Sequence, residues 1–159
     1  MIDHFTLKVK DYARSKDFYV AALGPLGYQP VMEFEGMGGF GVAGKPDLWL
    51  AQGPEPQAAM HLAFRAPDRA AVDAFYAAAI AAGAADNGKP GLRLDYHPHY
   101  YGAFVIDLNG HNLEAVCHDP PGAKQAPAKK AAAKKATPKK AAKEAAKKPL
   151  RKAASKKKR

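Results

Sequence analysis

Residues 4–23, HFTLKVKDYARSKDFYVAAL, and residues 61–80, HLAFRAPDRAAVDAFYAAAI, are two versions of one pattern. Setting residue n against n+57 pairs His4 with His61, Leu7 with Phe64, Asp11 with Asp68, Ala13 with Ala70, Phe18 with Phe75, Tyr19 with Tyr76 and Ala22 with Ala79. A fixed period of this length marks a duplicated supersecondary unit. In the first copy, residues 2–9 alternate as a half-buried strand does, and residues 12–23 place Ala13, Phe18, Tyr19, Ala22 and Leu23 on one helical stripe. Asp11 is positioned to cap that helix and Gly24-Pro25 to stop it.

Working outward, YQPVMEF (28–34), GFGVA (39–43) and DLWLAQ (47–52) read as three short strands between glycine- or proline-bearing turns. The second copy reads as a strand at 60–66, a helix at 69–82 capped by Asp68, and a short strand near 92–96. It closes with YYGAFVIDL (100–108) and HNLEAVC (111–117), a hairpin expected around Asn109-Gly110. The expected fold is α+β, two βαβββ units forming a half-open barrel, with repeats at about 1–56 and 57–119.

Charge divides the chain. Residues 1–119 hold 9 basic and 14 acidic residues together with all the aromatics, whereas residues 120–159 hold 16 basic and 1 acidic residue, 13 Ala and 5 Pro. The first part can bury a core. The second lacks the apolar mass to offset chain entropy, and is expected to be a disordered Lys/Ala/Pro-rich tail. Such a tail is a counterion-releasing polyelectrolyte, suited to phosphate backbones rather than bases, with another polyanion, an anionic lipid surface or mere solubilisation as the alternatives. Lys129, Lys130, Lys134, Lys135, Lys139 and Lys140 are its candidate nucleic-acid contacts, in a segment where KKATPKK (134–140) resembles linker-histone arms. One cysteine, Cys117, rules out an internal disulfide framework. With no apolar run long enough to span a bilayer and no secretory signal pattern, the expected location is cytoplasmic, nucleoid-associated if the tail engages DNA.

Equivalent positions in the two repeats put His4 and His61 near the starts of the units' first strands, and Glu114 lies in the last strand. In that strand Asn112, Glu114 and Val116 share one face and Leu113, Ala115 and Cys117 the other. An acid among apolar residues is costly to bury unless paired. Two imidazoles and one carboxylate with vacant positions suit Fe, Mn, Ni or Zn as divalent ions and leave room for substrate. In HPHYYGAF (97–104), His97 and Tyr101 are candidate proton carriers and His99 a candidate substrate contact. Arg93 could hold a substrate anion and Trp49 wall a cavity. Each of these residues also has an ordinary structural reading, as a core ring or a solvated charge.

The paired βαβββ pattern, the HFTLKV and HLAF strands each opening on a histidine, and the hairpin DLNGHNLEAV resemble the vicinal oxygen chelate superfamily. That group takes in glyoxalases, extradiol dioxygenases, bleomycin-binding proteins and fosfomycin-modifying thiol transferases. The resemblance covers roughly residues 1–118. It implies metal ligands at His4, His61 and Glu114, a small oxygen-chelating substrate, lyase or dioxygenase chemistry, and a homodimer. Trp49 stands where glyoxalase I-like enzymes carry a fourth, carboxylate ligand. Phe104 and Leu108 replace the Tyr and Pro of the ring-cleaving dioxygenase pattern. Thr6, two residues after the first histidine, matches the thiol transferases, whose potassium loop HPHYYGAF replaces. Two alternatives remain at this level, a metal-free small-molecule or bleomycin-binding protein and a DNA-associated interaction protein.

Overall fold

The computed structural model describes residues 2–53 and 58–121. The tail lysines singled out above lie outside the described residues. Two βαβββ units are present, as the period predicts. The first comprises β1 (Phe5–Val9), α1 (Tyr12–Leu23), a 3-10 turn (Gly24–Leu26), β2 (Gln29–Phe34), β3 (Met37–Val42) and β4 (Lys45–Gln52). The second comprises β5 (His61–Arg65), α2 (Arg69–Ala81), β6 (Ala85–Leu92), β7 (Tyr101–Ile106) and β8 (Asn112–Cys117). Each forms a four-stranded sheet of the same topology, β1-β4-β3-β2 and β5-β8-β7-β6, in which the unit's first strand pairs parallel with its last.

Both helices start where expected. The Asp11 carboxylate accepts the Arg14 amide at 3.1 Å, and Asp68 accepts the Ala71 amide at 2.8 Å. Each cap satisfies an amide that the helix leaves free, contributing about 1 kcal/mol. One face of each sheet packs against the helices. Leu7, Val9, Phe40, Leu48 and Leu50 from the first unit, and Phe64, Ala103, Val105, Leu113, Ala115 and Cys117 from the second, join Phe18, Tyr19, Leu23, Val72, Phe75 and Ala79 in one buried cluster. The strand period therefore sends His61, Ala63 and Arg65 of β5, Asn112, Glu114 and Val116 of β8, and Thr6 and Trp49 of the first unit to the faces away from the helices.

Two local expectations are corrected. No strand occupies 93–96; β6 instead runs through ADNGKPGL, a stretch whose Gly and Pro argue against a strand. It is an edge strand, and its pairing with β7 shifts register between Asp86 and Gly88 and again between Gly88 and Gly91, which is where Pro and Gly are tolerated. Nor is Asn109-Gly110 a two-residue hairpin. The Asp107 carboxylate, buried with only 6 % exposure, accepts the Asn109 and His111 amides at 2.8 and 2.7 Å and the Tyr19 hydroxyl at 2.7 Å, holding a wider loop.

Candidate metal centre

Glu114 is central in its sheet, flanked by Ala63 of β5 and Phe104 of β7. Its side chain is only 2 % exposed. Both carboxylate oxygens are engaged. Oε2 lies 3.0 Å from Nε2 of His61, whose ring is 53 % exposed, and Oε1 accepts a hydrogen bond from the Tyr100 hydroxyl. Gly102 makes the space, since a Cβ there would lie 3.2 Å from Oε1 and 3.2 Å from the Tyr100 ring. Burial, and then the Glu114 carboxylate it bonds, push the Tyr100 hydroxyl well above the ordinary phenol range, so it remains a donor at neutral pH.

The 3.0 Å contact between His61 and Glu114 is that of an ordinary hydrogen bond, and both are residue types that ligate divalent cations. One chain does not assemble the full set of three, however. His4 sits ahead of β1 in the other sheet, 56 % exposed, with its Nδ1 3.0 Å from Asp3. Among the described residues no group of three or more His, Cys, Asp or Glu is placed to hold a metal ion.

The remaining candidates fall into three places. Phe104 packs edge-on to His61, ring centroids 6.2 Å apart, and the Arg93 guanidinium lies 5.4 Å from the Phe104 centroid while its Nη2 donates to the Lys89 carbonyl at 2.7 Å. Thr6 and Trp49 are neighbours across β1 and β4, and Trp49 stacks on Phe34 at 6.4 Å with the rings 17° apart. His97 does not bond Glu114. Its Nδ1 accepts the His99 amide at 3.1 Å, leaving its proton on Nε2, which points at His118 Nδ1 2.8 Å away. Tyr101 faces the helices, where its hydroxyl donates to Asp73 at 2.7 Å; burial first, and then the bond to Asp73, raise its pKa.

Tyr100 is the residue that sequence reasoning passed over. Strand parity holds the signal: Ala103 and Val105 are core, so Tyr101 must face the helices while Tyr100, Gly102 and Phe104 face Glu114.

Similarity to known proteins agrees with this architecture. A crystal structure of a glyoxalase/bleomycin resistance protein from Albidiferax ferrireducens is 27 % identical, covering 74 % of this chain and 98 % of that one, with a TM-score of 0.64. A glyoxalase/bleomycin resistance protein/dioxygenase family enzyme from Burkholderia phytofirmans (19 % identity, 74 % and 98 % coverage, TM-score 0.61) and a glyoxalase-related enzyme from Fulvimarina pelagi (19 %, 74 % and 87 %, 0.58) share the fold. No curated protein matches the chain. The model of the glyoxalase/bleomycin resistance protein/dioxygenase superfamily matches residues 1–122, and the chain belongs to that superfamily.

Proposed function

We propose that this protein is a divalent-metal-dependent enzyme of the vicinal oxygen chelate type, a lyase or oxygenase acting on a small substrate that offers two adjacent oxygens. The observation that carries the reading is the buried Glu114 carboxylate, paired at 3.0 Å with a half-exposed imidazole, two residue types that ligate divalent metals. A cation held there, as Fe, Mn, Ni or Zn, would supply Lewis acidity to the substrate oxygens. His61 and Glu114 bind it. Phe104 walls the site against water, and Arg93, fixed by the Lys89 carbonyl, attracts an anionic substituent of the substrate. His97 and His99 line the approach.

The third ligand is His4 of a second copy. The face of the first sheet away from the helices exposes Met32 and Phe34, 51 and 55 % accessible, beside Trp49 and Thr6. Laying that face over the corresponding face of a partner's second sheet would cover these rings and close two equivalent sites about a two-fold axis. The tail, 16 cations on 40 residues, tethers the enzyme to nucleic acid without base specificity. A cytoplasmic, nucleoid-associated enzyme is the consequence. No helix among the described residues is long and apolar enough to cross a membrane.

Metal content tests the central claim. The full chain, purified without a histidine tag, should carry about one divalent metal per subunit and run as a dimer in light scattering. If it carries none, and Fe(II), Mn(II), Ni(II) and Zn(II) all leave its melting temperature unmoved, the enzymatic reading fails and a metal-free binding protein takes its place. For the tail, truncation after His118 should abolish a DNA mobility shift that weakens with salt in the full chain.

A further inference from the structure

One edge of β5 is unpaired among the described residues. β5 bonds only β8, where the Asn112 amide donates to the Met60 carbonyl and the Ala66 amide to that of Val116, both at 2.8 Å. Alternation along the strand therefore turns the even-numbered residues to β8, and the amides and carbonyls of His61, Ala63 and Arg65 to the other side. That side is a cleft of about 520 Å³, walled by residues 60–65 and, across from them, by Phe5, Tyr28, Lys45 and Asp47 of the first unit. It shares His61 with the candidate metal centre but not Glu114.

Two charges in these walls lack a counter-ion among the described residues. The Asp47 carboxylate has one partner, the Tyr28 hydroxyl, a long 3.3 Å from Oδ2, while Oδ1 is buried with none. The Tyr28 ring is in turn braced edge-on against Phe64, 5.4 Å between centroids. The exposed Arg65 guanidinium has neither an ion pair nor a hydrogen bond. Lys45, by contrast, is neutralised by Asp3 at 3.0 Å. A carboxylate oxygen buried without a donor is costly. An ammonium entering the cleft would supply that donor once the carboxylate turns, at the expense of the long Tyr28 bond alone.

We propose that this cleft binds a short peptide with free termini, which adds to β5 as an extended strand and sets its ammonium on Asp47 and its carboxylate on Arg65. Main-chain pairing gives such a ligand affinity whatever its side chains, and the two charges select its ends. β5 is about 16 Å long at 3.3 Å per residue, enough to pair a tripeptide throughout. The cleft volume lies within the range of small-ligand sites. No metal is needed, so the site stands or falls separately from the enzymatic reading.

Amide spectra of the isotope-labelled full chain, titrated with the tripeptide Val-Thr-Val, test it. The Ala63 and Arg65 amides should shift and exchange their hydrogens more slowly. Acetylating the peptide amine should weaken binding about ten- to a hundredfold, the worth of a charge-assisted hydrogen bond, and amidating its carboxyl should weaken it similarly. Asp47→Asn should erase the difference between free and acetylated peptide and keep that between free and amidated peptide; Arg65→Gln should do the reverse. Amides unmoved at millimolar peptide overturn the site, and so does an acetylated peptide that binds the native chain as well as the free one. If both amides are already protected without peptide and lose that protection on dilution to monomer, the edge belongs to a second copy and the proposal falls.

Discussion

Trp49 and Glu114 occupy the same place in two copies of one architecture. Thr6 lies opposite Trp49, Ala63 lies opposite Glu114, and Thr6 and Ala63 are related by the repeat. The strand beside them differs in the opposite sense. Gly39 flanks Trp49, where a Cβ would come within 2.9 Å of the indole, while Phe104 flanks Glu114. In the first unit the bulk stands on the last strand and the neighbour shrinks to admit it; in the second the neighbour carries the ring and the last strand carries the acid. Duplication thus preserved the frame, and the faces away from the helices diverged into an aromatic wall and a paired imidazole and carboxylate.

The sharpest way to break that contrast is to remove the two equivalent side chains in turn. Glu114→Gln keeps the shape and a carbonyl to accept from Tyr100 but withdraws the charge, so elemental analysis should find metal uptake abolished. Trp49→Gln should leave metal stoichiometry unchanged as long as light scattering still finds the dimer that brings in His4. Loss of metal from both variants with the dimer intact would mean that the indole, not only the acid, builds the centre.

The frame itself should respond symmetrically. Phe18 and Phe75, equivalent by the repeat, are 2 % and 0 % exposed in the shared core. Phe18→Ala and Phe75→Ala should each cost about 3–5 kcal/mol in denaturant unfolding, the range for a truncated core phenylalanine. A large inequality would show that one unit carries the fold and the other leans on it.

A third equivalent pair has diverged in environment. Tyr19 is fully buried and its hydroxyl donates to the buried Asp107, whereas Tyr76 shares a hydrogen bond with Asp86 at the surface. Tyr19→Phe removes one of three donors from a buried carboxylate and should cost roughly 1.5–3 kcal/mol; Tyr76→Phe should leave the unfolding midpoint near native. Burial first, and then the Asp107 charge, raise the Tyr19 hydroxyl well above its ordinary value. The folded state thus holds this proton more tightly than the unfolded one. The associated stability is complete below about pH 10, the unperturbed phenol value, and is lost as pH rises beyond it. Unfolding curves above pH 10 should therefore fall less steeply for Tyr19→Phe than for the native chain.

What the sequence disclosed follows the same division. The helices were legible because cap, apolar stripe and repeat all agree, with Asp11 and Asp68 each at the predicted cap. The second sheet's edge was not, since Asp86, Gly88, Pro90 and Gly91 in β6 carry no alternation, and an edge needs none. The pairing of His61 with Glu114 could be anticipated from parity within β8. That no third ligand joins them among the described residues could not, because it depends on how the two sheets turn about their helices, a packing property that no local pattern encodes. Tyr100 was missed for a narrower reason: in a Tyr-Tyr pair one ring must face each way, and only the burial of Ala103 and Val105 decides which.

The two closing hairpins provide the smallest test. In the first unit β3 and β4 are joined by Ala43-Gly44 alone, with φ of 55° and 79°, the backbone of a type I′ turn, in which Asn-Gly is favoured. In the second unit Asn109-Gly110 lies inside the wider Asp107 loop, where Asn109 serves other ends: Oδ1 accepts the Lys10 amide at 3.2 Å and Nδ2 donates to Ser15 Oγ at 3.1 Å, tying the loop to the first unit. The residue that would relax one hairpin is thus employed in the other as an inter-unit tether. Ala43 has no such compensation, and an alanine in the left-handed region costs about 1 kcal/mol, a cost that asparagine largely avoids. Ala43→Asn should accordingly raise stability by about 0.5–1 kcal/mol in denaturant melts. A decrease would mean that the left-handed backbone at Ala43 is not where the first hairpin stores strain, and that its tightness comes from β3–β4 pairing instead.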